Sequence, residues 1–284
     1  MKISLSGLLQ RALFIPALFL CGLPAHAETL ADNLATMESQ SPIDIRSDNT
    51  YFGTLPALQF ALSTDAPLTV INNGSPGVEK TAVRANVNAG AGLLTLSGHE
   101  WDLAQFHFHT PSEHLLNGQS SPLEMHLVFN DAADNLLVVS RWVKEGNFNS
   151  ALDPIFSHIP QTTTETLHVD HFDLNNLVPN NLDSFRYSGS LTTPPFSEGV
   201  SWVDLAEPLY MSEEQIHAFS SLFPEGDARE IQDLNGRIIL TDVPGFVAAV
   251  PEPEAYAMLL AGLVLIGFIY RKRQVGRDDV VFSS

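Results

Sequence analysis

Cysteine appears once in the 284 residues, at Cys21, inside an N-terminal stretch that reads as a removable leader. A body without thiols forms no disulfide and no thiolate metal centre, so any metal must be held by histidine and carboxylate. Basic residues are scarce as well, 14 against 33 acidic, for a formal net charge of −19. No nucleic-acid partner is expected, because phosphate binding needs a basic face. An acidic surface keeps an exported protein soluble and says little about fold. Low-complexity runs and internal repeats are missing too. What is present suits one substantial domain, since 44% of the residues are hydrophobic, enough for a sizeable core.

The two ends differ from the body. Lys2 and Arg11 accompany an apolar run that closes on Ala25-His26-Ala27, a small-x-small cleavage site, so residues 1–27 read as a secretory signal. Phe19 and Leu20 before Cys21 argue against lipidation. At the other end, Val250-Pro251-Glu252-Pro253-Glu254 leads into an apolar run of 16 residues over 255–270 and then Arg271-Lys272-Arg273. The run is slightly short for a span of ~20 residues, and the basic cluster sits where a cytoplasmic stop would. Together these features resemble the PEP-CTERM sorting tail of Gram-negative bacteria. That resemblance implies recognition and cleavage by an exosortase; a simple C-terminal anchor is the alternative. The expected organisation is a signal peptide over 1–27, one catalytic domain over 28–249, and a sorting tail or transmembrane segment over 250–275. The expected location is the periplasm, cell envelope or extracellular matrix, with membrane contact only through the C-terminal segment.

Between the ends, short alternating segments dominate: 68–71, 93–96, 104–109, 124–129, 136–143, 200–203 and 237–240. Turn signals at Asn72-Asn73-Gly74 and Asn235-Gly236 separate several of them. Helical patterns are few, the best being 151–158 and 212–223; the second opens on Ser212 with Gln215 three residues later, an N-cap sequence. The class expected is mainly β (α+β), one domain with a few short peripheral helices.

The chemistry concentrates in 106–129. Strand side chains alternate faces. In Gln105-Phe106-His107-Phe108-His109, the residues Gln105, His107 and His109 share one face and the two phenylalanines the other. In Glu124-Met125-His126-Leu127-Val128, Glu124, His126 and Val128 share a face. Antiparallel pairing of these strands brings three imidazoles together. Three neutral nitrogens with a fourth position open are the pattern of a catalytic zinc site. Gln105 and Glu124 are natural acceptors for the outer ring N–H groups. The competing reading of any one such histidine is an ordinary strand polar position. A cupin-type iron or manganese site, with Glu113 as a ligand, also fits part of the spacing, but its glycine-framed motif and Pro-x-Gly are absent.

Further segments bear on the choice. Gln40-Ser41-Pro42-Ile43-Asp44-Ile45, Asn72-Asn73-Gly74, Ser112-Glu113-His114 and Tyr187-Ser188-Gly189-Ser190-Leu191-Thr192-Thr193-Pro194-Pro195 flank the two histidine strands. Glu198, Trp202 and Asp233-Leu234-Asn235-Gly236-Arg237 follow. In this order the chain closely resembles the α-class carbonic anhydrases over nearly all of 40–240. The resemblance implies a large, mostly antiparallel twisted central sheet and reversible hydration of carbon dioxide to bicarbonate and a proton. It implies Zn²⁺ on His107, His109 and His126, with a water as fourth ligand whose pKa the metal lowers to ~7. Thr192 would orient the resulting hydroxide and donate to Glu113. Val128, Val138, Leu191, Val200 and Trp202 would form the apolar slot for carbon dioxide, Thr193 would contact bicarbonate, Gln105 and Glu124 would support the ligands, and His114 would be structural.

The chain departs from that family in places. Ser75 stands where the usual proton-shuttle histidine follows Asn-Asn-Gly. Serine carries no proton near neutral pH, so proton release is expected to limit turnover unless buffer or another group, such as His99, assists. No Trp, Tyr or Phe occurs in 28–39, and Thr110 replaces a common Trp. The alternative from another class is a non-catalytic exported binding or matrix module that keeps the fold.

Overall fold

The structure, a computed structural model, describes residues 38–74 and 83–247, and within the tail residues 258, 260–263 and 266. The expected signal peptide, Ser75 and most of the sorting tail lie outside the described residues. The strands are β1 (Asp44–Ile45), β2 (Thr50–Phe52), β3 (Leu58–Leu62), β4 (Ala66–Asn72), β5 (Val83–Val87), β6 (Gly92–Leu96), β7 (His99–His109), β8 (Leu115–Leu116), β9 (Leu123–Asn130), β10 (Leu136–Glu145), β11 (Thr166–Phe172), β12 (Ser184–Ser190), β13 (Glu198–Met211) and β14 (Ile239–Thr241). Twelve of them form one sheet, in the order β11-β4-β5-β7-β9-β10-β13-β12-β14-β2, with β3 and β6 joined to it through β7. Its pairings are antiparallel except β10–β13 and β14–β2. A separate parallel pair joins β1 to β8.

β7 is where the sheet branches. Its first residues pair with β6 and its last with β5 and β9. The β6–β7 hairpin turns on two residues, Ser97 and Gly98, both with positive φ, the type I′ geometry that matches strand twist. Asn235 and Gly236 also take positive φ, and Arg237 N donates to Leu234 O at 2.9 Å, so the expected turn is there. The strand expected over 237–240 forms later, at Ile239–Thr241, because that turn occupies its first residues.

The sheet separates two apolar layers. Phe106, Phe108, Met125 and Leu127 enter the larger cluster, with Leu137, Val139, Val203 and Leu205 from the next strands. Each such burial contributes about 1.5–3 kcal/mol. The opposite face holds the histidines and a smaller cluster containing Val138, Tyr187, Val200 and Trp202. Strand alternation therefore assigns one residue to packing and the next to the site, as the sequence pattern predicts.

Helix is sparse. The expected helix over 151–158 shortens to α1 (Asp153–Phe156), one turn opened by Pro154. The one over 212–223 becomes α2 (Glu213–Ser220), started by a full capping box between Ser212 and Gln215, each accepting the other's backbone N–H. Gln215 also bonds both backbone groups of Asn149, which ties α2 to the loop before α1. In the tail, residues 258, 260–263 and 266 are helical and exposed. No helix among the described residues is long and apolar enough to cross a membrane. The transmembrane expectation for 250–275 falls mostly outside them.

Candidate metal centre

Sheet register assembles the site. His107 lies opposite His126, His109 opposite Glu124 and Gln105 opposite Val128. One nitrogen from each of His107, His109 and His126 lies within 4.8 Å of the others, and the three ring centroids are 4.9–5.1 Å apart.

The surrounding acceptors fix which nitrogens face inward. His107 Nδ1 donates to Gln105 Oε1 at 2.9 Å, which leaves Nε2 with a free lone pair. His126 Nε2 donates to Glu124 Oε1 at 2.9 Å, which leaves Nδ1. His109 is buried with neither ring nitrogen in a hydrogen bond. Its Nε2 lies 3.6 Å from Glu113 Oε2, and His126 Nδ1 lies 3.8 Å from the same oxygen, so these two inward nitrogens converge on one point. An orphaned buried imidazole beside two whose outer nitrogens are held and whose inner nitrogens are free is what a three-histidine metal centre requires. The donor set fits zinc. A second group, His114, Glu124 and His126, also clusters, but its atoms are already hydrogen-bonded to one another.

Electrostatics separates the three rings. Burial holds His107 well below its ordinary pKa of 6.5, aided by His109, His126 and Arg84, so it is neutral and ready to ligate. Burial also pushes His109 down, but the Glu113 and Asp227 carboxylates outweigh it and raise the ring to about 9; in the metal-free site it carries the compensating positive charge.

A buried relay stands behind His126. Glu124 Oε1 accepts from His114 Nδ1 at 2.7 Å, its Oε2 accepts the His114 backbone N–H at 2.7 Å, and His114 Nε2 bonds Tyr187 Oη at 2.7 Å. Tyr187 Oη in turn meets Ser41 Oγ at 2.8 Å. Burial is opposed by His114 and His126, which hold Glu124 well below the usual carboxylate range. Gly189 makes room for this chain: a Cβ there would sit 2.1 Å from Ser41 Oγ. His114 is thus a brace reached through Glu124, which accounts for its place outside the three-histidine cluster.

Glu113 is anchored by one oxygen. Its Oε1 accepts the Arg229 backbone N–H at 3.0 Å, and its Oε2 has no partner. No hydrogen bond joins Thr192 to Glu113 among the described residues. The Arg229 guanidinium reaches the residue before Thr192, donating to Leu191 O at 3.5 Å, and stacks over Phe196 at 3.8 Å. Thr192 is buried and Thr193 partly exposed in the loop between β12 and β13. Val138, Val200 and Trp202 form one apolar cluster, with Val128 and Leu191 packed against it. The Trp202 ring lies 5.1 Å from His126 and is held by its Nε1 donating to Ser190 O at 3.0 Å. An apolar wall therefore touches the imidazole cluster. His99 is remote: it begins the strand that ends at His109, about 26 Å before His107 at ~3.3 Å per residue, and is bound to Asp131 at 2.9 Å.

Similarity to known proteins identifies the family. The model of the eukaryotic-type carbonic anhydrase family matches residues 26–243. The chain belongs to the carbonic anhydrase family. A carbonic anhydrase of Pectobacterium carotovorum is 38% identical over 223 residues, covering 77% of this chain and 87% of that protein. Among solved structures, the α-carbonic anhydrase of Thermovibrio ammonificans, in complex with the inhibitor sulfanilamide, aligns with a TM-score of 0.67 at 34% identity, covering 76% of this chain and 93% of that one. The Photobacterium profundum α-carbonic anhydrase gives 0.65 at 33%, covering 75% and 95%. The PEP-CTERM protein-sorting motif matches residues 249–274.

Two residues beside the histidine cluster of this carbonic anhydrase family member, Asp227 and Arg229, escape sequence reasoning. They touch Thr110 and Glu113 from 117 and 116 positions away, and no local spacing signals a contact at that range.

Proposed function

We propose that the chain hydrates carbon dioxide reversibly to bicarbonate and a proton, with Zn²⁺ held by His107, His109 and His126. The observation that carries this reading is the convergence of three imidazoles, two of which have their outer nitrogens committed to Gln105 and Glu124. When bound, zinc supplies Lewis acidity that brings the pKa of a water to ~7.

The protein's own groups do the rest. Gln105 and Glu124 fix the tautomers of His107 and His126, so that each presents a lone pair. Glu113, pinned by Arg229, keeps Oε2 free as an acceptor. The Thr192 hydroxyl, not bonded to that oxygen in the metal-free arrangement, would turn to donate to it once zinc is bound, leaving its own oxygen to accept from the attacking water and orient it toward the substrate carbon. Val128, Val138, Leu191, Val200 and Trp202 offer carbon dioxide an apolar wall and exclude water from it. Thr193 contacts the bicarbonate before it leaves. Ser75 cannot relay the released proton, so buffer carries it. The chain acts outside the inner membrane, and its tail is a substrate for an exosortase; that part of the reading rests on the sorting motif.

The test is carbon dioxide hydration by zinc-loaded protein against a His107→Ala control. Hydration well above the control supports the enzyme reading. Equal rates would leave a non-catalytic binding module in its place.

A further inference from the structure

Arg84 differs from the other arginines. Arg46 pairs with Asp44 and Asp48, and Arg141, Arg186, Arg229 and Arg237 each donate to backbone carbonyls. Among the described residues Arg84 alone finds no acceptor, and its Nε is shut off from solvent without a partner. A shielded donor on a cation is costly unless something satisfies it.

Strand register says where this cation stands. Directly opposed residues of neighbouring strands share a face, their Cβ atoms about 4.5–5.5 Å apart. Arg84 lies opposite His107 and Asn86 opposite Gln105, while Val83, Ala85 and Val87 enter the larger core. Arg84 is therefore on the face of the three imidazoles, on the flank of β7 away from His126. The site has two unlike sides: an apolar one from β9 onward, with Val128, Val138 and Trp202, and a polar, cationic one on β5. Solvent reaches the second, since Gln105, His107, Arg84 and Asn86 are half-buried while His109, Glu124 and His126 are buried. No described carboxylate pairs with Arg84, and Glu124 is committed to His114 and His126.

The two carbon species of the reaction differ in what they ask of such a wall. Carbon dioxide is neutral and gains nothing from a cation. Bicarbonate is a planar anion with carboxylate-like oxygens, which a guanidinium fork matches in charge and geometry. We propose that Arg84 is a binding residue for bicarbonate, donating to one of its oxygens from the flank opposite the apolar wall and so favouring the anion over carbon dioxide. The inference rests on the reaction proposed above.

Arg84→Gln removes the charge and keeps a polar side chain, and Arg84→Lys restores the charge. Zinc-loaded wild type and variants are titrated calorimetrically with thiocyanate, a small monovalent anion. Binding to Arg84→Gln should weaken about tenfold, the worth of one charge-assisted hydrogen bond, and Arg84→Lys should recover most of that loss. In dehydration assays the KM for bicarbonate should rise in Arg84→Gln with kcat little changed, the mark of lost uniform binding. Equal thiocyanate affinities in wild type and Arg84→Gln, or an Arg84→Lys as weak as Arg84→Gln, overturn the role of Arg84 and leave the reaction reading intact. A wild type that retains no zinc or does not hydrate carbon dioxide overturns that reading, and this inference with it. A further measurement needs no variant: in zinc-loaded wild type, the Arg84 Nε–H signal in nitrogen-edited NMR should shift as bicarbonate is added. A signal that stays in place overturns the proposal even if Arg84→Gln fails to fold.

Discussion

On β7 and β9, residues that pack alternate with residues that face the site. Phe106, Phe108, Met125 and Leu127 fill the larger core; Gln105, His107, His109, Glu124 and His126 line the other face. The backbone is the same extended strand for both sets, and His109, Glu124 and His126 are as buried as the packing residues while Gln105 and His107 are half-buried; the main difference lies in what each face tolerates. The core face needs volume and no particular atom. The site face needs particular atoms and tolerates no change of charge, even at constant shape. Stability and chemistry should therefore respond separately to neighbouring positions.

The largest separation is expected at His126 and Leu127. His126→Ala should abolish zinc retention and hydration while leaving a folded protein, read by metal analysis and circular dichroism. Leu127→Ala should do the reverse: unfolding free energy falls by about 2–5 kcal/mol, with zinc content per folded molecule preserved. Parallel loss of zinc in Leu127→Ala would contradict the division of labour. Next comes Glu124→Gln, which preserves shape and removes charge. Zinc affinity should drop about 10–100-fold, and the relay through His114 to Tyr187 should weaken, read as a lower thermal midpoint.

A smaller effect is expected at Ser75. Ser75→His should raise the maximal hydration rate several-fold in weak buffer and little in strong buffer; no change in weak buffer would mean that proton release does not limit turnover. The smallest is a pH effect on the metal-free protein. Burial lowers the His114 pKa, but Asp204 and Glu124 outweigh it and raise the ring from 6.5 to about 9. The folded state then holds this proton more tightly than the unfolded state. Its contribution is complete below about pH 6.5 and is lost as pH rises through about 9. Denaturant midpoints across that range measure it, and removal of the carboxylate charge in Glu124→Gln should flatten the slope.

Much of this was legible in the sequence because a strand's period of two residues assigns faces without knowledge of partners. The alternation in 104–109 and 124–129 therefore puts Gln105, His107, His109, Glu124 and His126 on the site side. Strand edges were less legible: 166–172 and 83–87 form β11 and β5, although Arg84 and Asn86 make 83–87 look solvent-facing. Arg84 instead pairs in register with His107. Contacts made across the chain were not legible at all. Arg229 pins Glu113, and Asp227 faces His109, only because the segment after α2 folds back over the end of β7; spacing along the sequence carries no trace of that. His99, a local candidate for proton transfer, is excluded by the same geometry, since one long strand carries it away from the site.

Titrating zinc into metal-free protein while following carbon dioxide hydration tests the central claim most directly. The account predicts activity that rises linearly to one zinc per chain and then stops, and no rise for His107→Ala. Zinc binding at that stoichiometry without hydration, or the same rise in His107→Ala, would contradict it.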